Sequence, residues 1–157
     1  MKQNSVIALI FMLFLSCLNK SSQVKKLEPK VIFPDGFVVD VKLAISDFEK
    51  GYGLMFVSSL PEDNGMLFIN DEESKNPFWM KNCLIPLDLI WLGKDGEIVD
   101  ITRNAEPCNE DPCPNYYPSK SYFYVLEVNG NLSLKHNLKI GDRIMFVDVF
   151  ESVNKKS

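Results

Sequence analysis

Histidine is nearly missing from this chain: His136 is the only one in 157 residues. A Ser-His-Asp hydrolase would have to be built on that single ring, which sits in a polar stretch expected to be exposed. There is no G-x-S-x-G elbow and no Gly-rich phosphate loop, so two common routes to catalysis are closed. Basic charge is not in excess either. The 17 Lys and Arg are outnumbered by 21 Asp and Glu, for a net charge of -4, which leaves no basic face for nucleic acid. The apolar run Val6 to Leu15 falls short of the about 20 residues that a spanning helix needs. No internal repeat and no second domain are visible.

What that run does resemble is the core of a signal peptide, residues 1–16, behind the basic start at Lys2. The small Ser16 directly before Cys17 resembles a bacterial lipobox, in which the cysteine is acylated and becomes the first mature residue. Phe14 stands where leucine is usual, with Leu13 one place earlier. Ordinary cleavage nearby and a noncleaved membrane anchor are the alternatives. The polar, lysine-rich residues 17–30 suit a tether, and the folded domain is expected over 31–153. The expected membrane partner is therefore reached through Cys17, and the expected location is the extracytoplasmic cell envelope.

Beyond the tether the periodicity is mostly two. Phe37, Val39, Val41, Leu43 and Ile45 alternate with Asp40 and Lys42, which predicts a half-buried strand. Ser46-Asp47-Phe48-Glu49 is a capping-box pattern that opens a short helix, ended by Gly51 and Gly53. Further strands are predicted over 66–69, 78–81, 87–92, 97–102, 122–128 and 143–150, with a helical turn near 132–137. Many short strands and little helix predict a mainly-β domain, a sandwich or a barrel, with one or two short helices.

The stretch PFWMKNCLIPLDLIWL, residues 77–92, holds both tryptophans and three groups that resist burial: Lys81, Asn82 and Asp88. An unpaired buried amide costs a few kcal/mol and an unpaired charge more, so these groups must be paired, exposed or held for a ligand. Trp91, between Ile90 and Leu92, is assigned to the core. Trp79 alternates with Lys81, opposite Phe78 and Met80, and is either a core residue or an aromatic wall. Asp88 and Glu127 lie on apolar strand faces, where desolvation would raise their pKa values; Glu127 is also a candidate ion-pair partner for Lys81.

Of the cysteines, Cys108 and Cys113 flank NEDP, and in an exported chain that spacing reads as a local disulfide. It would pin residues 106–119, with Tyr116, against the sheet. The alternative, three cysteines and His136 around a metal, lacks C-x2-C spacing; no metal and no cofactor are expected. Cys83 is expected to be a buried free thiol.

GLM at 53–55, GMLF at 65–68, PFWMKN at 77–82, IPLD at 85–88, PC at 107–108, CPNY at 113–116, YVLEV at 124–128 and GD at 141–142 occur in that order. Together they resemble the domain of unknown function 192 family over residues 36–150. The resemblance implies a compact jelly-roll-like β-sandwich, often behind a signal peptide, and no established reaction. Three positions depart from the family. Lys50 and Val57 lie where arginines are usual, and Cys83 stands where threonine is common. Lysine does not replace a planar arginine fork, and a thiol is a weaker hydrogen-bonding group than a hydroxyl.

The expected site joins Trp79, Lys81, Asn82, Asp88, Tyr116 and Glu127, and would suit a small polar ligand or a sugar. Binding is the leading function. An interaction domain assisting an envelope complex is the second, and a hydrolase or lyase using Asp88 with Glu127 the third. Jelly-roll-like folds host all three, so the fold does not choose among them.

Overall fold

The computed structural model describes residues 28–156. The signal peptide, Cys17 and nearly all of the tether lie outside the described residues. Within them the order is β1 (Lys30–Ile32), β2 (Val38–Ala44), α1 (Asp47–Tyr52), β3 (Asn64–Ser74), β4 (Phe78–Trp79), β5 (Leu87–Leu92) and β6 (Ile98–Ala105). Then follow β7 (Asn115–Tyr116), β8 (Tyr122–Asn129), α2 (Leu132–Lys135), β9 (Met145–Val147) and α3 (Val149–Lys156). The fold is mainly β with short helices, as the period-two pattern predicts.

Seven strands form one sheet in the order β6-β5-β8-β3-β2-β1-β9, and β4 pairs with β7 in a separate ribbon. The β2–β3 pair is parallel and the other pairs are antiparallel. The sheet curls until its edges meet. Glu97 bridges Arg143, and Ile98 and Ile144 donate backbone hydrogen bonds to Asp142 and Gly96 across that seam. Curling divides the apolar residues into two cores. Val39, Val41, Leu43, Ile90, Leu92, Leu126 and Val128 pack inside the curl. Phe68, Leu87, Leu89, Trp91 and Val125 pack on its outer face, where Phe78 of β4 and Tyr116 of β7 help to cover them. This explains why every residue of β5 is buried: its two faces serve two cores.

Local chemistry explains the element ends. The Ser46 hydroxyl accepts from the Glu49 amide, and the Glu49 carboxylate accepts from the Ser46 and Ile45 amides, so α1 starts with a complete capping box. It ends at Gly53, whose φ of 50° and ψ of -132° suit only glycine. Two predicted strands are shorter than expected. Asn82 takes φ 58° and turns the chain out of line, so β4 stops at Trp79. Asp148 takes φ 55°, so the stretch 143–150 yields a three-residue β9 and then a helix. β1 begins at Lys30, one residue before the expected domain start.

Candidate functional site

Asp88 is fully buried on the inner face of β5, beside Ile90 and Leu92. One carboxylate oxygen accepts from the amides of Asn104 at 2.7 Å and Asn131 at 2.8 Å; the other accepts from Ser133 at 2.8 Å. Three backbone donors satisfy it, and it ties β6 and α2 to β5. In register, Asp88 faces Val128 while Glu127 faces Leu89. Side chains alternate along strands, so Glu127 emerges on the outer face, with Leu89 and Trp91. The two acids are therefore on opposite faces of the sheet. The expected carboxylate pair does not form, and neither Asp88 nor Asn82 lines the cleft at Glu127.

Glu127 is the unusual group. It is 4 % exposed, and among the described residues its Oε2 has no hydrogen-bond partner. Burial pushes its carboxyl up to about 8, so it is mostly neutral at pH 7. It forms the floor of a cleft of about 30 Å³, bounded by Lys50, Tyr52, Gly53, Met55, Trp79 and Lys81. That is room for a single small polar group. A Cβ on Gly53 would lie 3.2 Å from the Phe68 ring and 3.9 Å from Glu127 Oε2, so the missing side chain keeps the cleft open.

Trp79 is 46 % exposed and stands at the mouth, as the wall and not as core; Trp91 is fully buried. The Lys81 ammonium lies 5.6 Å from the Trp79 ring centroid, and it pairs with Asp111 at 2.6 Å. Asp111 takes the partner role expected of Glu127. Asp111 belongs to the loop closed by the Cys108–Cys113 disulfide. That loop is docked by paired backbone bonds: Cys108 donates to Met80 at 3.0 Å and accepts from Asn82 at 2.8 Å. The bridge thus holds one side of the cleft.

Asn82 and Tyr116 flank the site without lining it. The Asn82 carbonyl accepts from the Phe56 amide at 2.8 Å, and its side chain contacts Met55. Tyr116 pairs with Phe78 and packs on the outer core. Cys83 is a buried free thiol, pushed up to about 11 by burial and then by the nearby Glu127 charge. His136 is not exposed as expected. Its side chain is 12 % exposed, because the ring stacks on Phe37 at 4.1 Å and Nδ1 lies 2.6 Å from Asp35. Among the described residues, no three His, Cys, Asp or Glu side chains converge as metal ligands.

Residues 31–146 match the family pattern of domain of unknown function 192, described as "Uncharacterized ACR". The chain belongs to this family. No curated protein matches it. Two crystal structures are similar to this domain of unknown function 192 protein. One is a protein of unknown function from Novosphingobium aromaticivorans, 32% identical, with a TM-score of 0.68 over 78% of this chain and 89% of that one. The other is described as a "putative transcription regulator" from Sinorhizobium meliloti, 29% identical, with a TM-score of 0.67 over 78% of this chain and 94% of that one.

The three positions expected to depart from the family lie at or beside the cleft. Lys50 and Cys83 both border it, and Val57 packs against the outer core beside it. Sequence reasoning missed Tyr52, Gly53 and Met55 as cleft residues. The one available signal was GLM itself: a glycine two residues past the first helix-ending glycine, where only a backbone need or a close approach explains a second.

Proposed function

We propose that this protein is a small-ligand-binding module of the bacterial envelope, with the Glu127 cleft as its site. One observation carries the reading: a buried carboxyl oxygen with no partner among the described residues, on a side chain that lines a small cleft. Folding gains nothing from that arrangement, because a buried unsatisfied polar atom costs about 1–3 kcal/mol. A ligand that inserts one hydroxyl or amine would satisfy it. The rest of the ligand would lie against Trp79, as a sugar ring does on an indole face. The lipid anchor on Cys17 and the extracytoplasmic location belong to the same proposal, supported by the Ser16-Cys17 junction and the local disulfide.

Trp79 emission tests this directly, since Trp91 is buried and serves as a constant background. The probes are glucose, glucosamine and glycine betaine, the last having no donor to offer. The expected result is a saturable shift with glucose or glucosamine, no shift with betaine, and loss of the shift in Glu127→Ala. The reading fails if no donor-bearing probe shifts the emission, or if Glu127→Ala responds like the native chain.

A further inference from the structure

Phe48, Tyr52 and Phe56 are 79 %, 47 % and 57 % exposed. They follow one another at helical spacing along α1 and its exit, with ring centroids 6.0 and 6.1 Å apart. The capping box fixes the start of this row. Phe56 is held at φ 63°, a backbone region that aromatic residues seldom occupy, by its bond to the Asn82 carbonyl. Three adjacent exposed rings on a fixed support form a contact surface, not scattered surface apolarity.

We propose that this row is a membrane-contact ridge, seated in the headgroup region of a phospholipid bilayer. The route of the chain selects the occupant. Pro29 lines the same groove of about 440 Å³ as Phe48 and Tyr52, and Glu28 lines the adjoining groove with Val57, so the described chain begins beside the ridge. The residues before it include the apolar run Val6–Leu15 and Cys17. Eleven residue steps separate Cys17 from Glu28 (28 - 17), a reach of at most about 40 Å. A tether of that length keeps the ridge at high effective concentration beside the bilayer, so weak insertion of a few rings suffices to orient the domain. Tyrosine in the row fits this level of the membrane, with an apolar ring and a polar tip. The inference rests on the membrane-anchor part of the proposed function and is independent of the ligand.

The full chain, isolated from bacterial membranes, is reconstituted into phosphatidylethanolamine–phosphatidylglycerol vesicles with brominated acyl chains. Tryptophan is introduced in separate variants at Phe48 and at Ile140. Ile140 is also exposed, but Gly141 beside it bonds to β6, across the curled sheet from β2 and α1. Bromine quenching at least about twice as strong for Phe48→Trp as for Ile140→Trp is expected for rings held at the interface. Equal quenching at the two positions, or none at Phe48→Trp in vesicles that carry the protein, overturns the ridge, as does a chain that never floats with vesicles. The anchor is read separately by flotation: Cys17→Ser should float less than native chain, and equal flotation removes the anchor while quenching still decides the ridge. Serine at Tyr52 and Phe56, carried in both tryptophan backgrounds, should weaken the difference in quenching and keep native far-UV circular dichroism; an unchanged difference would mean that these two rings take no part in the contact.

Discussion

Replacing Glu127 by glutamine should stabilise the protein, and by an amount that grows with pH. Burial raises the folded carboxyl to about 8 from an ordinary 4.5. The sign follows from linkage: the folded state holds its proton where the unfolded state has released it, so stability is highest below pH 4.5 and falls as pH rises towards 8. With 1.36 kcal/mol per pKa unit, the cost of Glu127 is about 1 kcal/mol at pH 5, about 3 at pH 7 and nearly 5 once pH exceeds 8. Glutamine keeps the shape and cannot ionise. Urea unfolding of both chains at pH 5, 7 and 8.5 should therefore give a difference of about 1 kcal/mol at pH 5 that widens by about 4 kcal/mol at pH 8.5. Cys83 titrates at the upper end in both chains and largely cancels. A pH-independent difference, or a native chain more stable than the variant at pH 7, would refute the buried, unpartnered state of Glu127 on which the proposed site depends.

Asp88→Asn should move the other way. Its side-chain amide brings two donors where three backbone N–H groups point, so a loss of about 3 kcal/mol in urea at pH 7 is expected, and an equally stable variant would contradict the three-way acceptor role. Gly53→Ala should destabilise by about 2 kcal/mol, from a φ that alanine resists and a methyl pressed on Phe68; thermal melting within error of the native chain would show that the turn relaxes freely. Replacing Cys108 and Cys113 by serine should lower stability by about 2 kcal/mol for so short a closed loop and speed proteolysis between residues 106 and 119; unchanged cleavage there would mean that backbone docking alone holds the loop.

The alternation of Val39, Val41 and Leu43 was enough to place β2, and Ser46 with Glu49 to place α1, because both depend on neighbours in sequence. The same is true of the Cys108–Cys113 bridge. Legibility ends where long-range register decides. Asp88 and Glu127 look alike in sequence, each an acid between apolar residues, yet one meets three amides and the other an open cleft. That difference is set by which residues face each other across β5 and β8 and by where α2 lands. Trp79 is equally ambiguous in sequence, and its half-exposed place depends on a short β4 and on the bridged loop beside it. Lys81 found Asp111, thirty residues away, because the bridged loop brings it there. His136 was misread for the same reason: its partners Asp35 and Phe37 lie a hundred residues earlier.

The position of β8 has a consequence for how the molecule is made. This strand lies between β3 and β5 in the sheet but arrives at residues 122–129, after both. A chain emerging N-terminus first thus has β1 to β3 as one fragment and β5 with β6 as another, and lacks the strand that joins them in the sheet until about four-fifths of the polypeptide is out. Closure of the seam waits still longer, for residues 141–144. Contacts so distant in sequence form slowly, and a sheet that cannot be completed early leaves the nascent chain unfolded through most of its synthesis. Under the proposed export, that delay would keep the chain fit for threading through a narrow pore.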